Sequence, residues 1–377
     1  MLYSIIALSA IENIPGISLT YFGILMFVPA FIFVYSLFKN RYVPKPFFYL
    51  LFLIPLSFLS GSGYEFKIEI LLRSVQLSAI ILAFCYIALY LDAHKLGMVF
   101  LSLIYIMIAF FIWELVVKPD LLNAYLDLDL NYFITSGGTY FYSEVRDRSS
   151  GLTLFAQGNV FAAAISGSCF LVSLFFKKRT LALISFFFAI STGSRALLVT
   201  FIGLLFFIYL CKYHPRIRKL SIKIFLILLF IQPLLYLNLN YLFSEDFNNY
   251  LYSLSPRYVS FIAHANMGME NLFGVGLFQA VNHGDYFFAR WPAAGHNQFM
   301  SIFGELGIFA YIFWFLFLWE LSKKIEKNDY ASMLFIFTLS MYTFLTGYNE
   351  WSFWLPLAMS YLISKSNLFP AHIRRIK

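Results

Sequence analysis

Runs of apolar residues near the length needed to cross a lipid bilayer recur from one end of this 377-residue chain to the other. Each crossing of roughly 30 Å of hydrocarbon takes about 20 residues of helix. Only 12% of the residues are charged, against about 25% in an ordinary soluble domain. A chain in lipid must satisfy every backbone N–H and C=O within itself, and a helix does so segment by segment. The expectation is an all-α, polytopic integral membrane helical bundle of about 11 to 12 spans, with residues 1–377 forming a single transmembrane domain and no room for a separate soluble one.

Spans are expected near 17–38, 46–60, 70–91, 96–117, 151–176, 180–193, 195–211, 220–242, 298–321, 330–347 and 353–364. Those at 46–60, 180–193 and 353–364 are short and read as tilted partners in hairpins. Residues 1–14 are apolar but broken by ENIPG, and fit either a half-length twelfth span or an interfacial helix. The N-terminus lacks the charged region and cleavage site of a secretory signal, so the chain is expected to stay unprocessed. Cys85, Cys169 and Cys211 sit in or beside apolar runs as small hydrophobes, with no disulfide framework.

The net charge of +8 is topogenic and does not point to nucleic acid. Most of the 27 Lys and Arg lie in alternate connections: KNRYVPK, DAHK, KKR, KYHPRIRK, SKKIEK and the tail KSNLFPAHIRRIK. The positive-inside rule puts these in the cytoplasm, giving a multi-pass membrane protein. The opposite, outer side carries two long connections, about 118–150 and 243–297, too long and too rich in aromatics and Arg for idle linkers.

Candidate chemistry therefore gathers on the outer face. The basic residues there are Lys67 and Lys118 against Arg146, Arg148, Arg195, Arg257 and Arg290, a bias toward the planar guanidinium fork that grips phosphate in a bidentate manner. A lone Arg near a span end also snorkels to lipid headgroups, the plainer role for Arg146 and Arg148. Arg195 is wedged in STGSRALLV between two apolar runs with no proper loop around it. Arg257 opens SPRYVSFIAHANMGMENLFGVG, where Tyr258, Phe261, Ile262 and Ala265 fall at helical spacing. That stretch reads as an amphipathic helix lying on or in the outer face of the membrane domain, closed by a glycine turn at Gly274 and Gly276.

In AAGHNQFMSIFGELG, residues 293–307, His296 is able to take a proton near neutral pH and Asn297 to orient a neighbour or cap the following span. Glu305 stands about 180° round an α-helix from His296 and about 80° from Asn297. A carboxylate that far inside a span calls for a basic partner, and Glu305 is expected to act as a structural brace. The pair Asp127 and Asp129 reads as loop surface. No metal or cofactor signature is visible.

Three stretches taken together carry a resemblance. GHNQFMSIFGELGIFAYIFWF is similar to the signature of the bacterial O-antigen polymerase and O-antigen ligase families, in which His-Asn opens a late span and Glu-x-Gly follows. STGSRALLVTFIGLL resembles their Ser-Arg segment, and SPRYVSFIAHANMGMENLFGVG their Arg-led helix ending in Gly-x-Gly. The resemblance covers about 190–315. It implies a lipid-linked glycan transferase of the GT-C type: a metal-independent, inverting glycosyltransferase without cofactor that moves a glycan from undecaprenyl diphosphate to a sugar hydroxyl on the periplasmic face.

By that resemblance Arg195 and Arg257 would hold the donor diphosphate and His296 would activate or position the acceptor hydroxyl, making these three the catalytic candidates. Arg290, Asn297 and Arg148 are the substrate-binding candidates, and Arg290, in FFARWPAAGHN, competes with Arg257 for the second diphosphate contact. The implied partners are an undecaprenyl-diphosphate-linked oligosaccharide, an acceptor glycan and membrane lipid, with a chain-length regulator as a candidate protein partner. The compact, aromatic-rich chain favours an O-antigen polymerase for surface polysaccharide and lipopolysaccharide biosynthesis. An O-antigen ligase acting on lipid A core is the alternative, and a lipid-linked glycan flippase a more distant one.

Overall fold

The computed structural model describes residues 13–14, 17–18, 26–40, 43–62, 68–117, 159–191, 194–213, 215–242, 256–277, 279–280, 297–344 and 351–366. Residues 1–12, the long connection 118–150, and Arg148, Arg290 and His296 lie outside the described residues. The chain divides into two compact units, residues 1–26 with 94–202, and residues 27–93 with 203–377. Helix dominates, as the hydropathy requires. One small departure from an all-helical reading is a two-residue antiparallel ladder, β1 (Asn13–Ile14) with β2 (Ile17–Ser18), at the expected start of the first span.

In the first unit, most of α5 (Ala93–Val117) accompanies the hairpin of α6 (Asn159–Phe175) and α7 (Arg179–Ser191). The hairpin turns on Lys177, whose φ of 58 is left-handed. Lys178 N–H reaches the Ser173 carbonyl at 2.9 Å and Lys177 N–H the Leu174 carbonyl at 3.0 Å, the paired bonds that close a helix end. Gly97 lets α5 approach the Phe176 ring, and the buried Cys169 thiol faces the Phe100 carbonyl at 3.7 Å.

The second unit holds α1 (Phe27–Asn40), α2 (Lys45–Leu51), α3 (Leu53–Leu59) and α4 (Ile68–Tyr90). The run 46–60, expected as one span, breaks at Phe52 because Pro55 has no N–H for the Leu51 carbonyl and its ring crowds that turn. The tail of α8 (Arg195–Tyr213) leads to α9 (Pro215–Leu242) and α10 (Pro256–Glu270). Then follow α11 (Gln298–Ser301), a π-helical segment (Ile302–Leu306), α12 (Gly307–Ile325), α13 (Asp329–Met341) and α14 (Trp351–Lys365).

An aromatic cluster fills this unit: Phe84 lies 4.9 Å from Trp354 and 5.9 Å from both Phe47 and Phe317, ring centre to ring centre. α14 is buried on nearly every side, so a short helix suffices there. Among the described residues three helices are long and apolar enough to cross a membrane by length and composition: Ile68–Tyr90, Ile217–Leu237 and Gln298–Ile325.

Basic connections predicted to share one face do meet within this unit. Lys45 pairs with Glu320 at 3.2 Å, Lys219 with Glu326 at 3.7 Å, and Arg218 with Asp329. Asn328 caps α13 and donates to the Ile363 carbonyl at 3.5 Å. The stretch Gln298–Ile325 thus has its basic end in an ion-pair cluster and its other end at the N-cap Asn297.

Pro233 inside α9 leaves the Leu229 carbonyl without its helical donor. The buried Tyr311 hydroxyl of α12 supplies one, at 2.8 Å, while its ring stacks on Phe230 at 5.2 Å and 8°. Tyr311→Phe keeps the stacking and orphans a buried carbonyl. It is expected to destabilise the protein by about 1–3 kcal/mol, read as a lower unfolding temperature in detergent with unchanged helix content.

Candidate functional site

Of the three catalytic candidates, Arg195 and Arg257 stand where a helix begins. Arg195 is the first residue of α8, and the Ser194 hydroxyl ahead of it accepts from Leu197 N–H at 3.4 Å. The connection from α7 is only residues 192–194, in keeping with the tight setting read from the sequence. Arg257 follows Pro256 in the first turn of α10, where proline's missing N–H costs no helical bond. His296 directly precedes Asn297, the N-cap of α11. Helix N-termini expose unpaired N–H groups and the positive end of the backbone dipole, which favour anions.

Asn297 is almost fully buried and its carboxamide is engaged. Its Oδ1 accepts from Phe299 N–H at 2.9 Å and Met300 N–H at 3.3 Å, and its Nδ2 donates to Gln232 Oε1 of α9 at 3.0 Å. The capping role foreseen for this residue is therefore its visible one. Gln298 N–H adds a bond to the Tyr342 carbonyl at 3.0 Å. The start of this helix is tied to α9 and to the end of α13.

Of the two settings expected for α10, on the outer face or in it, burial favours the second: Ser260, Ile262, Ala263, His264, Ala265 and Met267 are all buried, so it runs inside the unit. It crosses the segment 302–306 closely because glycines allow it: a Cβ on Gly304 would sit 3.0 Å from His264 Cα, and one on Gly268 would sit 2.5 Å from the Phe303 carbonyl oxygen.

The glycine turn after α10 locks onto the same segment. π-Helical widening and the left-handed Gly307 (φ 84) free two carbonyls from the helix ladder. Val275 N–H bonds to the Gly304 carbonyl at 3.1 Å and Gly276 N–H to the Glu305 carbonyl at 3.0 Å. Gly274 and Gly276 have φ of 74 and 104, as the turn reading required. Gly61 N–H, in the turn after α3, bonds in addition to the Gly274 carbonyl at 3.2 Å.

At the crossing sits a buried acid and base that the sequence reading only half anticipated. Glu305 does meet a basic group, and that group is His264, with Nε2 at 3.9 Å from Glu305 Oε1. His264 Nδ1 lies 2.7 Å from the Ser260 carbonyl, which only accepts, so Nδ1 carries a hydrogen. A neutral ring of that tautomer would turn a lone pair toward the carboxylate, and a second proton makes the two an ion pair. His264 stood inside the quoted Arg-led stretch, on the face of Ser260 and Met267. Its place among buried residues of that helix was the available signal.

Residues 180–315 match the family model described as O-antigen ligase. The matched segment includes Arg195, Arg257, Arg290, His296 and Asn297, together with His264 and Glu305, and leaves Arg148 outside it. No curated protein and no solved structure matches the chain.

A Cβ on Gly274 would lie 2.3 Å from the Glu305 carbonyl oxygen, and the left-handed φ adds about 1–2 kcal/mol for any L side chain. Gly274→Ala is expected to lower the stability of the purified protein by at least about 2 kcal/mol. Gly203→Ala, where a Cβ meets nothing within 4 Å, is expected to be neutral or to stabilise α8 by up to about 1 kcal/mol. Thermal unfolding of the two variants side by side checks both.

Proposed function

We propose that this chain, whose residues 180–315 match the family model described as O-antigen ligase, is a glycosyltransferase that elongates a surface polysaccharide. A growing glycan leaves undecaprenyl diphosphate and is joined to a sugar hydroxyl of a lipid-linked repeat unit, at the periplasmic face of the inner membrane. The observation that carries the reading is the interlock of two signature stretches. The Arg257-led helix and the His-Asn span are held together by glycine turns and by a buried His264 with Glu305.

In this reaction the acceptor oxygen attacks the anomeric carbon from the side opposite the diphosphate, and configuration inverts. The bond to the diphosphate oxygen breaks with its electron pair, so negative charge grows on the leaving group. Arg195 and Arg257, with Arg290 as a further contact, hold that charge and stabilise the transition state more than the ground state. His296 receives the acceptor's proton. Asn297 contributes by fixing the first turn behind His296, and Arg148 is assigned to substrate binding. Fixed guanidinium groups at helix N-termini supply the electrostatic role without a divalent cation, and added chelator leaves activity intact in this scheme.

The family description favours a second reading, an O-antigen ligase that moves the glycan to lipid A core. The lipid-linked and core-linked glycans of a deletion strain separate the two. Loss of a polymerase leaves a single repeat on lipid A core, whereas loss of a ligase leaves long chains on the carrier lipid.

Two substitutions test the chemistry. His296→Ala is expected to abolish transfer by purified enzyme while donor binding persists, and normal product length would refute its role. Arg195→Lys keeps the charge but loses the paired bonds, each worth about 1.5–3 kcal/mol. Its rate is expected to fall about ten- to a hundredfold, close to Arg195→Ala. Full activity of the Lys variant would reduce Arg195 to a headgroup anchor.

A further inference from the structure

We propose that His264 and Glu305 are positioning residues for the donor site: their contact fixes the rotation of α10 and, through it, where Arg257 stands. The inference rests on the glycan-transfer reading above. Arg257 precedes His264 by seven residues, two helical turns, which leaves the two positions about 20° apart around the helix axis. They share one face. Whatever sets the azimuth of His264 sets the azimuth of Arg257.

Several features make this contact a rotational stop. His264 is fully buried, and its Nδ1–H is held by Ser260 one turn earlier at 2.7 Å, which fixes the plane of the ring. Its Nε2 faces Glu305 Oε1 at 3.9 Å, and Glu305 is itself only 4% exposed. Glu305 has no freedom to follow a turning helix, because its own carbonyl is held by Gly276 N–H and its neighbour's by Val275 N–H. The close approach of Gly304 to His264 leaves no room for α10 to slide, so rotation is the motion left to the helix. The other buried residues of α10, Ile262, Ala265 and Met267, fill space without fixing an angle. A contact between two buried polar side chains does fix one.

A glycine-rich crossing alone would have given proximity. The buried pair adds direction, which a bidentate phosphate contact needs to within a fraction of an ångström. Removing one partner leaves the other a buried polar group without its counterpart, so the single change is expected to cost more than removing both.

The experiment uses the full-length protein in lipid nanodiscs: Glu305→Gln, His264→Gln, the double Gln variant and the milder Glu305→Asp. Two readouts are taken, hydrogen exchange of the α10 amides and steady-state kinetics with lipid-linked donor and acceptor varied separately. Each Gln single variant is expected to speed exchange in the first two turns of α10 and to raise the donor KM about tenfold, with the acceptor KM unchanged. The double variant, with two amides able to hydrogen bond, is expected to recover most of the donor KM, and Glu305→Asp to fall between wild type and Glu305→Gln. Folded single variants with wild-type exchange and wild-type donor KM would overturn the proposal. So would a loss confined to kcat, which would place the pair in the chemistry itself. Should the wild-type protein transfer no glycan, the function fails while the exchange result still decides whether the pair holds the helix. If the Gln variants do not fold, Glu305→Asp decides on the same two readouts.

Discussion

Two backbone carbonyls, those of Gly304 and Glu305, step out of their own helix and are answered by the amides of Val275 and Gly276. In a membrane interior an unanswered carbonyl costs several kcal/mol, so this exchange is obligatory once the helix widens. The rest of the candidate site follows from it. Glycines at 268, 274, 304 and 307 are required because backbones meet where side chains would ordinarily stand. His264 reaches Glu305 only because the backbones are that close. Asn297 can cap the helix mouth in a fixed place because the far end of the same segment cannot move.

Much of the fold was legible because lipid imposes a length rule. Each apolar run read from the sequence contains a helix, and boundaries such as 68–90 and 215–242 lie within a few residues of expectation. The break at Phe52 was missed since hydropathy is blind to a single Pro; the missing N–H at Pro55 decides it. The Arg-led helix was found with its start and its glycine turn. Which of its two expected settings it takes was not, because helical periodicity reports an apolar face and not what covers the opposite one.

The same contrast holds at the site. That Glu305 needs a partner followed from the cost of a carboxylate inside a span. Which partner it takes depends on tertiary crossing, and His264 lies 41 positions earlier in the chain. The angles of about 180° and 80° assigned between Glu305 and the His-Asn pair assumed a regular α-helix of 3.6 residues per turn. The π-helical segment between them invalidates that count. Arg195, Arg257 and Asn297 were legible by residue type and motif, and the structure adds that each belongs to the start of a helix.

The π-helical segment has a further consequence. One widened turn amounts to an α-helix into which a single residue has been inserted. The stretch ahead of it, from Asn297 to Ser301, is therefore turned away from where an uninterrupted helix would aim it. Everything behind it, from Tyr311 to the ion pairs at Glu320 and Glu326, stays in register with the aromatic core. The long helix therefore behaves as a barrel and a separately aimed muzzle. Gain or loss of one residue between Ile302 and Leu306 would re-aim the Asn297 end while the packing from Tyr311 onward stayed as it is.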